Sequence, residues 1–317
     1  MSTVHKNGKR LSRFWSYALV TIAASLWGFG FVFGKLALSD MPVGAMITYR
    51  FAIASLVVAP LLAFRQLNMT RRDFWMFLLA GTFYVPVQFL LQFQGLSLTT
   101  LSHAALVVAL LPAFIALASI VTARNAPRPN WLAITASAIG ATLIVLRPGG
   151  NATVAGDLLV VLSLGGAVIW VLMSERINRR HDPMASSALI LVLGTGVLIA
   201  FEALVHPHDL IGHYSRTAWF ATIASGVLAT AITTVIWNVG LKGVPAADAG
   251  VFINLEPLIG ATCGIFIFSD VLGWWTIAGG ALIIAGAILV TRNAGPKQTV
   301  RDGRLETAEA LLELRSK

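Results

Sequence analysis

Two charged side chains stand inside apolar stretches of the sequence, where an ionised group costs about 2.5 to 3.5 kcal/mol. Glu256 lies near the middle of the stretch 247–268, too far from either end for a short side chain to reach an interface. We expect it to be protonated, paired or exposed to a water-filled cavity. A structural hydrogen bond and a role as a proton-coupling or amine-binding group both remain open. Arg50 is nearer an end of its stretch and is expected to reach outward or to pair with Glu202 or Asp270.

Polar and aromatic side chains recur at helical spacing. Tyr84, Gln88 and Gln92 stand at i, i+4 and i+8, and Thr230, Thr234 and Trp237 form a similar row downstream. One interpretation is hydrogen bonding between helices, which contributes about 0.6 kcal/mol per pair in membranes. The other is the lining of a polar cavity. We predict a substrate cavity lined by Trp27, Tyr84, Gln88, Gln92, Trp170, Thr234, Trp237 and Glu256.

Sequence motifs for several other kinds of chemistry are missing. Cys263 is the single cysteine, which excludes an internal disulfide and a cysteine-based metal cluster. The chain contains no HExxH, no GxxxxGK[ST] phosphate loop and no GxGxxG, so neither a metalloprotease nor an ATP-driven pump is indicated. The sequence therefore predicts no enzyme, no metal site and no cofactor.

The elements that must position these residues are membrane-spanning helices. The chain is 57% hydrophobic and 12% charged, with a mean hydropathy of +0.79, which is too apolar for a soluble globule of this size. Apolar stretches of about 20 residues recur between short polar breaks, long enough to cross a bilayer as helices. We predict an all-α polytopic membrane protein of about ten helices, with spans at 16–36, 44–64, 74–93, 98–121, 130–147, 156–176, 184–204, 217–239, 247–268 and 272–291.

The two halves of the chain repeat one another at a spacing of about 145 residues. Setting Leu101–Pro112 over Ala246–Pro257 aligns Pro112 with Pro257 and His103 with Asp248, and Trp27 falls on Trp170 further upstream. Matched prolines in mid-helix each remove a backbone hydrogen bond, so Pro112 and Pro257 are either hinges or structural bends. His103 and Asp248 lie at helix ends and are interpreted as capping groups or as gating groups. Weak internal symmetry of this kind is typical of secondary transporters, whose substrate site lies between the repeats.

The distribution of positive charge predicts the orientation. With both termini cytoplasmic, most Lys and Arg residues fall on the inner side, and the outer side receives Lys35, Arg147 and Arg216. The net charge of +9 is then a topology signal that requires no nucleic-acid partner. Because each half has five helices, an odd number, the second half must be inverted. The predicted division is a cytoplasmic segment 1–15, a first repeat 16–147, a second repeat 156–291 and a cytoplasmic tail 292–317.

Short motifs recur along the chain, namely Trp27-Gly28-Phe29-Gly30-Phe31, Arg50-Phe51, Leu111-Pro112, Leu255-Glu256-Pro257 and a last span rich in glycine (Gly279, Gly280, Gly286). In this order they resemble the EamA-type members of the drug/metabolite transporter superfamily. One departure is Asp270, where the family often carries a glutamate after glycine. The resemblance covers nearly the whole chain. It implies a ten-helix carrier that moves small metabolites, often amino acids or amphipathic drugs, usually outward.

We therefore predict a secondary active transporter in the inner (plasma) membrane that exports small metabolites by alternating access. Its expected partners are a small-molecule substrate, the lipid bilayer and protons as the candidate coupling ion. One alternative is a flippase for lipid or undecaprenyl-linked carriers, or a channel-like subunit; a lipid carrier needs a lateral opening and a basic headgroup patch. Another is an intramembrane enzyme, which needs a nucleophile or metal set on facing helices.

Overall fold

The computed structural model describes residues 12–64, 67, 69–122, 130–146, 149–244 and 246–293. These residues form helices and connecting turns, with no strand among them, so the protein is an all-α polytopic membrane protein as predicted. Besides a 3₁₀ turn at Asp209–Ile211, the described ranges contain ten longer helical elements, α1 (Arg13–Ala37), α2 (Val43–Val58, continued by Pro60–Ala63), α3 (Arg71–Leu98), α4 (Leu101–Val108 and Leu111–Thr122), α5 (Trp131–Leu146), α6 (Val154–Asn178), α7 (Pro183–Val205), α8 (Arg216–Gly240), α9 (Ala246–Ile253 and Leu255–Phe268) and α10 (Trp274–Asn293).

The lengths of these helices match a membrane. In the described part of the chain, eight spans are long and apolar enough to cross one, and α5 and the stretch Trp274–Leu289 of α10 are shorter apolar helices. The predicted boundary between the third and fourth spans was wrong, because Gln94 and Ser97 belong to α3 rather than to a loop. The chain turns instead at Thr99 and Thr100, where the Thr100 side chain caps α4.

Local chemistry explains where several helices begin. Thr70 and Asp73 form a reciprocal capping box at the start of α3, which satisfies backbone N–H groups that the first helical turn leaves free. The side chain of Asp182 caps α7, and Pro183 occupies its first turn, where the missing N–H costs nothing. Ser215 caps α8 in the same way as Asp182 caps α7. These capping residues determine where the polar turns end and the next spans begin.

Helices α4 and α9 are both interrupted shortly before the matched prolines. The α4 interruption falls at Ala109 and Leu110, and the α9 interruption falls at Asn254. At these points backbone N–H groups bond three residues back, with Leu110 N to Val107 O at 3.0 Å and Asn254 N to Val251 O at 3.2 Å. Pro112 and Pro257 thus sit in the first turn of each second segment. A hinge function for these prolines stays a prediction.

Helices α3 and α8 each contain a π-helical segment, which the sequence analysis missed. The segments are Phe83–Phe89 in α3 and Val227–Ile232 in α8, at corresponding positions of the two repeats. The first contains Pro86, which could have signalled an irregular turn, but the second has no proline. π-helical turns inside α-helices are frequent at functional sites.

Glycines allow the helices to approach closely. A Cβ added to Gly81 would lie 2.6 Å from the backbone oxygen of Ile190 and 2.7 Å from the nitrogen of Gly194, so α3 and α7 touch backbone to backbone. A Cβ on Gly28 would lie 2.8 Å from the backbone oxygen of Glu256, which places α1 against the second segment of α9. Small residues take this role in membranes, where apolar burial provides no drive for helix association.

Two predicted segments fall partly outside the described residues. The cytoplasmic N-terminal segment is described only from residue 12, and the tail only as far as residue 293. The side chain of Asp248 also lies outside the described residues.

Candidate functional site

A cavity of about 190 Å³ opens between the first half of the bundle (α1 and α3) and the second half (α6, α7 and α8). It lies toward the end of the bundle where α6 finishes and α7 begins. Five of the predicted substrate residues line it, together with polar residues that the sequence analysis missed. The lining consists of Trp27, Tyr84, Trp170, Ser174, Asn178, Ser187, Ile190, Leu191, Thr234, Trp237, Asn238 and Leu241.

The aromatic side chains of the cavity pair across the two halves. The rings of Trp27 and Trp237 lie 4.9 Å apart between centroids, and those of Tyr84 and Trp170 lie 4.5 Å apart. Each pair joins a helix of the first repeat to a helix of the second. Tilted rings at these separations attract one another, and their faces can also stack against a flat ligand.

Polar groups are interspersed among these rings. The Asn238 amide donates to the backbone oxygen of Thr234 at 2.8 Å and to Ser187 Oγ at 3.3 Å. The hydroxyl of Ser174 is buried and has no hydrogen-bond partner among the described residues. An unsatisfied hydroxyl in a cavity wall is a ready donor and acceptor for a ligand or for water.

Gln88 and Gln92 are not among the residues that line the cavity, although both were predicted to do so. Trp170 Nε1 donates to Gln88 Oε1 at 2.6 Å, and Gln88 Nε2 donates to Gln92 Oε1 at 3.5 Å. Gln88 therefore joins α3 to Trp170 of α6 by a hydrogen bond between helices, which is the first of the two interpretations of this polar row. The i, i+4 pattern assumes a regular α-helix, whereas Tyr84 and Gln88 lie in the π-helical segment Phe83–Phe89.

Glu256 lies in the first turn of the second segment of α9, where the helix dipole favours a carboxylate. It is half-buried and is not part of the cavity lining. It interacts electrostatically with Arg50 and Tyr84 but forms no ion pair in the described part of the protein. Glu256 thus lies outside the cavity wall.

Arg50 does not reach outward and does not pair with either predicted carboxylate. Its side chain is 4% exposed, and its Nε donates to Thr230 Oγ1 at 3.0 Å. Glu202 contacts His206 at 3.0 Å, and Asp270 accepts from the backbone N of Ser102 at 2.8 Å. Thr230, a residue of the π-helical segment of α8 in the second repeat, takes the place of the expected acid.

His103 is fully buried in a hydrogen-bond network between helices. Its Nδ1 lies 2.9 Å from Asp157 Oδ2, and its Nε2 lies 3.0 Å from Thr276 Oγ1. Thr99 Oγ1 donates to the other oxygen of Asp157 at 2.6 Å. The helix cap itself is Thr100, so His103 links α4 to α6 and α10 instead of capping. A gating role for His103 and Asp248 stays a prediction.

A second cavity, of about 330 Å³, lies at the opposite end of α7. Its lining includes Pro42, Gln94, Glu202, His206 and Asp209. The bundle thus has one cavity near the start of α7 and another near its end. Arg50, Phe51 and Phe89 line neither cavity. No group of three or more His, Cys, Asp and Glu residues that could hold a metal ion is found among the described residues.

The sequence model of the EamA-like transporter family matches this chain twice, over residues 14–146 and 154–292. The chain belongs to the EamA-like transporter family. Together with the apolar helices, this makes it a multi-pass membrane transport protein. The resemblance inferred from the motifs is therefore confirmed.

Similar proteins carry the names of transporters rather than of enzymes. A biotin transporter of Escherichia coli K12 is 26% identical over 302 residues, which cover 92% of this chain and 99% of that protein. An uncharacterized transporter of Archaeoglobus fulgidus is 24% identical over 285 residues, which cover 87% of this chain and 97% of the relative. A solved crystal structure matches this chain with a TM-score of 0.62 and 20% identity, and the match covers 88% of this chain and 98% of the chain in that structure. That likeness shows a shared fold.

Proposed function

We propose that this protein is a secondary active transporter that moves small metabolites by alternating access between its two repeats. The observation that carries the proposal is the cavity between the halves, where two aromatic pairs each join one repeat to the other. A rocking motion of the halves would separate these pairs and expose bound cargo to the other side. The interrupted helices α4 and α9 and the π-helical turns of α3 and α8 supply places where the bundle can bend.

The lining of the cavity supports a cargo with a flat apolar body and a few polar groups. Aromatic faces stack on such a body, and Ser174 and Asn238 offer hydrogen bonds. A volume of about 190 Å³ is below the 300 to 1,000 Å³ typical of sites for drug-sized ligands, so a metabolite is favoured. Amino acids, amphipathic compounds and, by likeness to the biotin transporter, small vitamins all meet this description.

We place the protein in the cell inner (plasma) membrane with both termini cytoplasmic, following the distribution of Lys and Arg. In this orientation the aromatic cavity opens toward the cytoplasm, because its residue Asn178 directly precedes the basic turn at Arg179 and Arg180. Loading from the cytoplasm is consistent with export, the direction that the resemblance implies. The cavity lining contains no Lys or Arg, which disfavours a lipid headgroup as cargo.

Protons are the proposed coupling ion, and Glu256 is the proposed carrier of the proton. Among the described residues, Glu256 is the acid that interacts electrostatically with both Arg50 and the cavity residue Tyr84. A change of charge on Glu256 would therefore alter the electrostatic field at the wall of the cavity.

The test of transport is uptake of radiolabelled metabolites, biotin and aromatic amino acids included, into proteoliposomes with and without a pH gradient. We expect flux above that of empty liposomes for at least one compound. Trp237→Ala should reduce this flux at least tenfold, whereas Trp275→Ala, at a tryptophan outside the cavity that is 49% exposed, should not. Equal loss in both variants, or no flux with any compound, would contradict the proposal.

The same assay tests the coupling role. Glu256→Gln keeps the size and the hydrogen-bonding groups but cannot titrate, so we expect intact folding with loss of the response to the pH gradient. An unchanged rate and an unchanged pH dependence would make Glu256 a structural residue.

A further inference from the structure

We propose that Arg50 binds a carboxylate group of the cargo, an inference that rests on the proposed transport function. The guanidinium of Arg50 is almost completely buried, and its Nη1 atom has no hydrogen-bond partner among the described residues. Buried polar groups in proteins are nearly always paired, so an unpaired cationic donor calls for an explanation. A ligand group that arrives during the transport cycle would provide the missing acceptor.

No residue in the described ranges supplies such an acceptor. None of the ion pairs found in the described part of the protein involves Arg50. Glu256 interacts with it electrostatically but lies beyond ion-pair contact. The planar fork of a guanidinium matches a carboxylate, and charge-assisted bonds of this kind are among the strongest hydrogen bonds in proteins.

The surroundings of Arg50 hold the guanidinium in place and leave Nη1 free. Its Cζ lies 5.4, 4.9 and 5.1 Å from the ring centroids of Phe51, Phe89 and Phe93, respectively. These rings stabilise the cation through their faces without accepting a conventional hydrogen bond. Thr230 accepts from Nε and donates its own proton to the backbone oxygen of Ser225 at 3.1 Å, so the opposite edge is fixed.

Two structural links connect this site to the aromatic cavity. Thr234 lines the cavity and lies one helical turn, about 6 Å, from the Arg50 partner Thr230. Tyr84 also lines the cavity, and its ring packs at 5.9 Å on Phe51 and 5.5 Å on Phe89, two of the rings that hold Arg50. Arg50 therefore lies one layer deeper than the cavity. A cargo whose flat body stacks among the cavity rings can direct a carboxylate into this layer.

The site selects for a single negative charge. The cavity lining contains no cation, so the single guanidinium of Arg50 in the layer beneath it balances one negative charge. The second charge of a phosphate monoester dianion would stay unpaired in an apolar layer, which is costly. The predicted cargo class is thus a monocarboxylate with an apolar or aromatic body.

Matched pairs of acids and amides test this assignment on the full-length protein in detergent and in proteoliposomes. The probes are biotin with biotinamide, indole-3-acetate with indole-3-acetamide, and N-acetylphenylalanine with its amide. Binding is followed by isothermal titration calorimetry. We expect at least one acid to bind about tenfold more tightly than its amide, a preference that Arg50→Gln should reduce to about one without weakening amide binding.

Lys35→Gln is the matched control, since Lys35 is another cation within the bundle but bonds the backbone oxygens of Leu96 and Thr99. It should keep the preference for the acid. Equal binding of every acid and amide by the wild-type protein, or no acid bound at all, would overturn the assignment even if Arg50→Gln does not fold. Arg50→Lys, which keeps the charge without the fork, should retain part of the preference. If an amide is transported as well as its acid, Arg50 does not bind the cargo carboxylate. The proposed transport function would still hold in that case.

Discussion

At the residue scale, buried polar groups in this protein form short networks that join helices distant in sequence. His103 and Asp157 are both fully buried, and each has a second partner in a threonine hydroxyl. Removing one member of such a pair leaves an uncompensated charge or polar group in an apolar surrounding, which costs more than the pair itself contributes. Exposed pairs such as Arg179 with Glu175 lack this property, because water replaces either partner.

The first prediction follows from this contrast. His103→Leu should lower the free energy of unfolding by about 3 kcal/mol or more, because Asp157 keeps only the bond from Thr99. Arg179→Ala, the control, should change it by less than about 1 kcal/mol, since its pair is 72% and 61% exposed. Unfolding in mixed micelles with increasing SDS gives both values. The double variant His103→Leu, Asp157→Leu should lose less than the two single changes together, and strict additivity would show that the pair is not coupled.

At the element scale, close contacts at glycines hold the helices together, and π-helical turns interrupt the regular spacing of side chains along α3 and α8. The contact of α3 with α7 passes through Gly81 and Gly194, whose backbones leave no room for a methyl group. Backbone atoms cannot move aside as a flexible side chain can. Gly165 on α6, by contrast, has no atom within 4 Å of the position of an added Cβ.

The second prediction compares these two glycines. Gly81→Ala should destabilise the protein by about 1 to 3 kcal/mol, because the helices must separate to admit the methyl group. Gly165→Ala should be neutral or stabilising by up to about 1 kcal/mol, as expected for alanine in an open helical position. The midpoint of SDS unfolding measures both changes. Similar losses at the two sites would mean that close packing at Gly81 does not hold the bundle.

At the scale of the whole molecule, the matched interruptions of α4 and α9 and the matched π-helical turns of α3 and α8 show that the two halves share their irregularities as well as their helices. The membrane orientation of each half depends on the turns between helices. Positive residues on cytoplasmic turns determine that orientation during insertion.

The third prediction concerns this topology. Reporter fusions to the full-length chain or its truncations should show activity of a cytoplasmic reporter after Asn68, Ala126, Arg180 and Gly295, and of an external reporter after Asp40, Gly150 and Leu210. The physical reason is the excess of Lys and Arg on the first set of turns. A cytoplasmic signal at Gly150 would contradict an inverted second repeat.

Properties that depend on local pattern could be predicted from the sequence. Hydropathy determined the number and approximate bounds of the helices, because each span must satisfy its backbone within itself. The recurrence of Pro112 at Pro257 predicted corresponding irregularities in two helices, and the aromatic residues Trp27, Trp170 and Trp237 were identified by their place in the repeat. For these features a short segment of the chain contains the necessary information.

The tertiary structure decided which groups meet. Arg50 bonds Thr230, a residue 180 positions away, and His103 contacts Thr276 at a separation of 173 positions. Gln88, which accepts from Trp170, and Thr230, which accepts from Arg50, both lie in π-helical segments, so neither contact follows from an ideal helical period. Side-chain direction depends on the accumulated rotation along each helix and on the partner helix that packs against it, so the composition of the cavity wall was decided only when the two halves packed together.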